Sequence, residues 1–476
     1  MLRSIGPHVV FCAIFVALPV AKAQQNQIEV SKATTFITQP LDKDGYVDYV
    51  EALDQLKNKV SPEDNAYVAL IRLNGPQVFY RDREKCLAEY FAKLGIEPLE
   101  VKEKYVRFEG SFDEGWALEQ SPWREADHAS GAKWLIANRS YVKQWQAAAE
   151  QKALYIPYIH ASGMGSCENA IVVFKRRDLL SAYFMKYVGE GDWESAWQLN
   201  LSLRKMSKLV SKSGGFVDYL SALAWSEVSN IQLKQFMASA TLTSQQWARI
   251  RKEMKDNRFV FGDYEPLRYY DRLFILSGLQ ASVIYPGKGF VIQQEVTKAA
   301  EGKYGTKVDW NEAMRHFNRT FDNEIRNHTE QSCLKLFAWH KRDVELREPR
   351  FKKELETLQP KTMAEWSRLL GEWTAIQTAN STVSVIRASL KHELVEKMTD
   401  ISLAICQFRS KTGKVPQTLG ELVPEYVTEM PQDSFSNQPL NYRANDNGFK
   451  IYSVGIDGVD DDGKKPKDIV VEVVFK

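Results

Sequence analysis

The chain has 476 residues, of which 44% are hydrophobic and 26% charged, and its formal net charge is only +2. This composition is that of an ordinary globular protein of roughly two or three domains. The near balance of charges gives no electrostatic reason to expect nucleic-acid binding, which depends on basic surfaces.

The first 23 residues have the pattern of a secretory signal peptide. Arg3 supplies the positive charge, residues 9–20 are apolar, and Ala21-Lys22-Ala23 places small residues around a cleavage point. This run is short for a membrane span, and no later segment approaches ~20 uncharged apolar residues. We therefore expect an exported chain with no transmembrane span once residues 1–23 are removed; an uncleaved anchor is the alternative.

Four cysteines follow the signal, at Cys86, Cys167, Cys333 and Cys406. None has the CxxC spacing that is typical of metal or redox sites. In an oxidising compartment they allow two disulfides in three different pairings, among which the sequence does not choose.

Residues 24–35 are polar and predict a flexible leader, and residues 36–360 predict a mainly helical body. Apolar residues recur there at helical spacing. The segments are 47–60, 65–73, 81–94, 133–154, 179–188, 193–210, 216–238, 244–256, 267–279, 310–327 and 351–358. Residues 179–188 and 193–210, joined by a turn with two glycines, predict a helical hairpin similar to one tetratricopeptide-like unit. No second copy recurs at a fixed period, so a repeat array is not expected.

Residues 40–51 fit two structural interpretations. Counted as an EF-hand loop, the segment has acidic residues at several ligand positions and Gly45 at the sixth, but Pro40 occupies the first, where a side-chain oxygen is needed. The simpler reading is an Asp-Gly turn that leads into a helix.

Two further segments have residue types that occur in active sites. His160 and Cys167 form a possible nucleophile pair, although no third group to orient the histidine is evident. Asp263 and Glu265 lie among aromatic residues, and such a carboxylate pair would suit acid and base roles in glycoside hydrolysis. The same acidic residues also suit ion pairs at a helix start.

The longest regular pattern lies near the C-terminus. Apolar residues recur every three or four positions from Val383 to Phe408, within a helix predicted over 364–412 that Gly413 and Pro416 end. Thr418 and Glu421 have capping-box spacing for a short helix over 418–426. Residues 442–444 and 449–454 predict a hairpin around Gly448, and residues 469–475 predict a last strand.

The order of motifs over residues 401–469 resembles the C-terminal domain of the type II secretion major pseudopilin. The matching residues are Gly413, Pro416, Leu422-Val423-Pro424, Tyr426, Pro431, Asp433, Asn437, Tyr442-Arg443, Tyr452-Ser453-Val454-Gly455 and Asp457-Gly458. The resemblance implies a small α+β domain over residues 413–476. It also implies a calcium ion in the loop after Tyr452-Ser453, with Asp457 and Asp468 as ligands and Val454 offering its backbone carbonyl. The composition of the loop adds Asp460 and Asp462.

The rest of the chain departs from that family, because a cleavable signal and some 360 unrelated residues precede the match. The arrangement resembles large exported bacterial proteins of unknown function that carry this domain at the C-terminus. We therefore expect a mainly α protein of the periplasm or cell surface, a non-catalytic binding or scaffold protein with a calcium-stabilised C-terminal domain and an envelope or secretion-related partner. The alternative is a glycan-acting enzyme that uses Asp263 and Glu265. The sequence does not indicate the oligomeric state.

Overall fold

The computed structural model of the chain describes residues 28–75, 87–99, 104–161, 164–167, 176–258, 265–284, 308–329, 362–464 and 468–475. These residues are mainly helical, and a small antiparallel sheet lies near the C-terminus. The helices are α1 Tyr49–Gln55, α2 Ala66–Asn74, α3 Leu87–Leu94, α4 Phe112–Gln120, α5 Ala129–Ala137, α6 Arg139–Ala149, α7 Arg177–Glu190, α8 Trp193–Ser211, α9 Phe216–Ser239, α10 Ser244–Asn257, α11 Glu265–Ile284, α12 Trp310–Thr329 and the long helix α13 Met363–Thr412. The strands are β1 Tyr158–Ala161, β2 Met164–Cys167, β3 Asn441–Asn445, β4 Gly448–Ser453 and β5 Ile469–Val474.

The chain divides into two compact units, each built from separate stretches of sequence. The first comprises Met1–Leu56, Tyr158–Ser166 and Arg268–Val383. The second comprises Lys57–Pro157, Cys167–Leu267 and Ser384–Lys476. The long helix therefore contributes residues to both units.

In the first unit, two side chains of α11 hold the backbone around α1. Tyr270 donates to the carbonyl of Leu53 at 3.1 Å, and the Gln280 amide donates to that of Val47 at 2.7 Å. These bonds satisfy one backbone carbonyl within a short helix that would be marginal by itself and one just before it. Gly371 lets the long helix approach α12, since a Cβ there would lie 2.1 Å from the Ala313 carbonyl oxygen.

In the second unit, α7 to α10 pack against one another, and side chains of α8, α9 and α10 bond to the C-terminal half of the long helix. Trp145, Trp197 and Trp225 are almost completely buried, and the rings of Trp145 and Trp225 stack at 5.8 Å. The helical hairpin of α7 and α8 is confirmed, with Gly191 at φ +75° in the left-handed conformation that closes the turn.

An ion pair lies inside this helical core. Arg204 and Glu396 are each 2% exposed, and Arg204 Nη1 donates to both carboxylate oxygens at 3.1 and 2.8 Å. Asn230 and Ser226 also donate to Glu396, at 2.8 and 3.2 Å. We call these four residues the Arg204–Glu396 network; it ties α8 and α9 to the long helix.

Burial by itself would raise the pKa of Glu396. The charges of Arg204 and His392, with hydrogen bonds from Asn230 and Arg204, outweigh this effect and hold the pKa below its usual value. The carboxylate is therefore ionised in the core.

The C-terminal region has the long helix, the hairpin and the last strand that the sequence predicts, but the helix predicted over 418–426 is shorter. The long helix ends at Thr412, and the Gly413 amide, at φ +75°, donates to the Arg409 carbonyl at 2.8 Å. A capping box of Thr418 and Glu421 opens a short 3-10 helix over Leu419–Leu422. The strands form an antiparallel sheet in the order β3-β4-β5, and β5 packs against α9.

Arg251 of α10 links this region to the helices. Its Nε and Nη2 donate to the two carboxylate oxygens of Asp400 in the long helix, at 2.6 and 2.9 Å. Its Nη1 donates to the Tyr426 carbonyl oxygen. Because the guanidinium is largely buried, this fork fixes the C-terminal region against the helical core.

Three predictions of local structure are wrong for the described residues. The helix over 133–154 is two helices, because the buried Asn138 bonds the backbone of Val106 and Trp134 at the break. The helix over 47–60 ends at Gln55.

The third concerns the leader over 24–35. Within it, Thr34 and Thr35 are fully buried, and their carbonyls accept hydrogen bonds from Asn318 and Tyr49. This part is therefore an ordered piece of the first unit. Residues 351–358 and 81–86 lie outside the described ranges. Over the residues described, no helix is long and apolar enough to span a membrane.

Candidate metal-binding loop

The acidic loop runs from Val454 to Asp468, between β4 and β5, and Asp433 fixes its start. Asp433 is 1% exposed. Its carboxylate accepts from Phe435 N at 2.9 Å, Ser436 Oγ at 3.2 Å, Ser453 Oγ at 2.8 Å and Val454 N at 3.3 Å. The loop therefore begins at a fixed position beneath the turn that precedes β3.

Asp468 fixes the other end of the loop. Its side chain is buried, at 2% exposure, and its Oδ2 accepts from the Asp461 and Gly463 amides at 3.2 and 2.7 Å. Its other oxygen, Oδ1, is buried and has no hydrogen-bond partner within the described ranges. A buried carboxylate oxygen without a partner costs free energy, so it marks a place that an ion or water would stabilise.

The other predicted ligands lie at the surface. Asp457 Oδ1 accepts from the Val459 amide at 3.2 Å, and Asp460 Oδ1 accepts from the Asp462 amide at 2.8 Å. Both carboxylates close local turns and are exposed.

Asp462 is held by a charge from the neighbouring strand. Its Oδ1 accepts from Arg443 Nη2 at 2.7 Å. This hydrogen bond and the positive charge of Arg443 lower the pKa of Asp462. The guanidinium occupies one oxygen of a carboxylate that the sequence predicts as a calcium ligand.

The five predicted ligands share one loop but are not gathered around one point. Within the part of the chain that the structure describes, no group of three or more His, Cys, Asp or Glu side chains is arranged to hold a metal ion. The loop brings the Asp468 carboxylate under its own backbone. Asp457, Asp460 and Asp462 lie outside this buried point, and Val454 is buried beside Asp433. The described residues that fit calcium best are the buried Asp468 with its unpaired oxygen and the oxygens of the surrounding loop.

Sequence reasoning did not assign Asp433 a role in the loop. Its position in Pro431-Gln432-Asp433 could have indicated a structural role, because an Asp after an extended Pro turn often bonds backbone amides near it. That it would also reach Ser453, twenty residues later, has no signature in a single sequence.

Residues 40–51 form the Asp-Gly turn of the simpler reading. Asp42 Oδ1 accepts from the amides of Asp44 and Tyr46, each at 2.9 Å, and Gly45 takes φ +83°. Asp48 caps α1 by accepting from the Glu51 amide at 2.9 Å. The Asp42 carboxylate therefore bonds the local backbone, and the Asp48 carboxylate bonds it as well as contacting His160.

The expectation that His160 lacks an orienting group is wrong. Its Nε2 lies 3.0 Å from Asp48 Oδ1, and half of its side chain is exposed. Cys167 ends β2, but its side chain lies outside the described ranges. Cys406 is a buried free thiol, and burial raises its pKa to about 12.

The carboxylate pair of the glycan-acting enzyme hypothesis is Asp263 and Glu265. Asp263 lies outside the described residues, and Glu265 begins α11 with a side chain that is likewise outside them. The pair stays a prediction.

Comparison with protein-family models, curated proteins and solved structures finds no match to this chain. The resemblance to the pseudopilin domain therefore rests on the motif residues over 401–469.

Proposed function

We propose that this chain is an exported, non-catalytic binding or scaffold protein of the bacterial envelope. In this proposal its C-terminal region is a pseudopilin-like domain stabilised by calcium, and its helical part carries the binding surface. An envelope or secretion-related protein is the proposed partner of the C-terminal region.

One observation supports the calcium part most strongly: the buried Oδ1 of Asp468 has no hydrogen-bond donor among the residues that the structure describes. Calcium takes six to eight oxygens, from carboxylates, carbonyls and water. Asp468 would supply a buried ligand. Asp457, Asp460, Asp462 and the Val454 carbonyl are the proposed remaining ligands from the chain. Because these groups do not converge on Asp468 in the structure, the proposal requires the loop to close around the ion, with water completing the shell.

The role of the ion is stability. An ion that binds only the folded loop stabilises it by about 2.7 kcal/mol when free calcium is 100 times the dissociation constant. The exposed loop carboxylates repel one another when no cation is bound, which adds to the effect. Calcium would then keep the surface of this domain in one conformation for a partner.

Isothermal titration of the chain from Gln24 with calcium, after treatment with a chelator, tests the site. We expect one bound ion, which magnesium at the same concentration does not replace, because Mg²⁺ demands octahedral geometry. Asp468→Asn removes a charge from the proposed site and should abolish the binding. Asp446→Asn, on the exposed turn between β3 and β4, is the matched control and should leave binding intact. Equal binding by both variants would contradict the proposed site.

Export is tested separately. Residues 1–30 fused to alkaline phosphatase should yield active enzyme, which requires disulfides that form outside the cytoplasm. An inactive fusion that accumulates in the cytoplasm would contradict export.

A further inference from the structure

A cleft lies in the second unit, where residues 122–127 pass beside the turn that joins α7 to α8. Its volume is about 440 Å³, within the range of pockets that hold small ligands. Its lining includes Trp123, Arg124, Asp127, Glu190 and Trp193. The acidic C-terminal loop has no part in it.

Hydrogen bonds join the two walls of this cleft. Arg124 Nε donates to the Gly189 carbonyl at 3.1 Å, and the Glu125 amide donates to Glu190 Oε1 at 3.2 Å. Gly189 makes the close approach possible, since a Cβ there would lie 2.1 Å from the Trp123 carbonyl oxygen. The cleft is therefore formed before a ligand arrives, which lowers the cost of binding.

The polar groups of the cleft have unused hydrogen-bonding capacity. The terminal nitrogens of Arg124 and the carboxylate of Asp127 have no hydrogen bond or ion pair within the described ranges, and both side chains are exposed. Glu190 is neutralised by Lys186 at 2.7 Å. The lining therefore offers a strong donor and a strong acceptor with little net charge.

Trp193 supplies an aromatic surface in the same lining. It is half-buried and packs edge-on against Phe236 at 5.9 Å, which fixes the ring. Its indole Nε1 makes no hydrogen bond within the described part of the chain. A fixed, partly exposed indole offers an apolar face together with a free donor.

These features together select a ligand class. A ligand with one apolar face suits the indole, and hydroxyl groups, which donate and accept, suit the Arg124 donors and the Asp127 acceptor. The opposite charges disfavour a strongly charged ligand, because one of the two groups would always repel it. We propose that this cleft binds a neutral oligosaccharide. The inference rests on the proposed function in one respect, that the helical part carries the binding surface.

Isothermal titration calorimetry of the chain from Gln24 tests the proposal with maltotriose, cellotriose and chitotriose, and with trigalacturonate as a charged comparator. We expect at least one neutral trisaccharide to bind, and to bind more tightly than trigalacturonate. Trp193→Ala should weaken this binding at least tenfold. Trp116→Ala is the matched control, because Trp116 is a partly exposed tryptophan on α4 that does not line the cleft.

Two further variants, Asp127→Ala and Arg124→Gln, test the cleft without removing Trp193, whose loss could disturb the packing against Phe236. Both side chains are exposed, and each change should weaken binding severalfold in a folded protein. The proposal is overturned if no neutral trisaccharide binds, if trigalacturonate binds best, or if all three cleft variants bind as the parent does. Calcium titration of the same samples keeps the two proposals separate, because neither site includes a residue of the other.

Discussion

Two regions of the second unit bury a carboxylate in opposite ways. Glu396 lies in the helical core with hydrogen bonds from Arg204, Asn230 and Ser226. Asp468 lies beneath the acidic loop, and within the described ranges backbone donors reach only one of its two carboxylate oxygens. In the helical core, side chains of the protein neutralise the buried carboxylate and donate hydrogen bonds to it. The loop leaves one oxygen unsatisfied, which is the reason to expect an ion there.

Removing one partner of the core pair should give the largest effect. Arg204→Met leaves Glu396 buried without its counter-charge, and we expect a loss of about 3–5 kcal/mol in the free energy of unfolding. Urea denaturation at neutral pH measures it. Lys205→Met is the control on the same helix, because its pair with Glu150 is partly solvated and should contribute little. A loss no larger than the control's would show that the network is not needed.

Removing the Asp433 side chain should cause the second-largest loss in the free energy of unfolding. Asp433→Ala leaves the Ser453 hydroxyl and the Val454 amide without an acceptor, and we expect a loss of about 2–4 kcal/mol. Asp446→Ala, at the exposed hairpin turn, should unfold as the parent does. If the two variants unfold at the same urea concentration, Asp433 does not fix the start of the loop.

Lowering the pH should destabilise the helical core, because Glu396 then takes up a proton. Its pKa is lowered in the folded state, so its contribution is fully present above the unfolded value of 4.5 and is lost as pH falls through the folded value. We expect the parent to lose stability more steeply below about pH 4.5 than Glu396→Gln, which has no proton to take up there. Urea midpoints across this range provide the measurement, and parallel curves would contradict it.

Asp457→Ala should give the smallest change, and only when calcium is present. In chelator this exposed side chain bonds one loop amide, so the melting temperature should stay that of the parent. In calcium the variant should lack the increase in melting temperature that the parent shows. An increase equal to the parent's would remove Asp457 from the proposed ligands.

Local signals predicted much of the fold. Helical spacing with Gly413 placed the long helix over 364–412, where the structure has Met363–Thr412. The turn at Gly448 placed the hairpin, and the capping residues placed the start of a short helix, which is a 3-10 helix over Leu419–Leu422 and not the helix predicted over 418–426. These features depend on neighbouring residues, which a single sequence displays directly.

Contacts between distant residues could not be predicted in the same way. Arg204 and Glu396 are 192 positions apart, and each fits an ordinary solvated helix face when considered alone. Asn138 also has no local signature, because it ends a helix by bonding the backbone of Val106, which lies in another segment. For the site, the sequence predicted the acidic loop, but not that Asp433 and Asp468 are its buried residues.

Hydrogen exchange with and without calcium tests most directly whether an ion completes the acidic loop and leaves the helical core unchanged. In the parent chain, calcium should slow exchange in peptides covering residues 454–475, including the Asp461 and Gly463 amides that donate to Asp468. Peptides from α8 and α9 should exchange at the same rate in calcium and in chelator. Unchanged exchange over residues 454–475, or equal slowing in both regions, would contradict the proposal that the loop alone is completed by an ion.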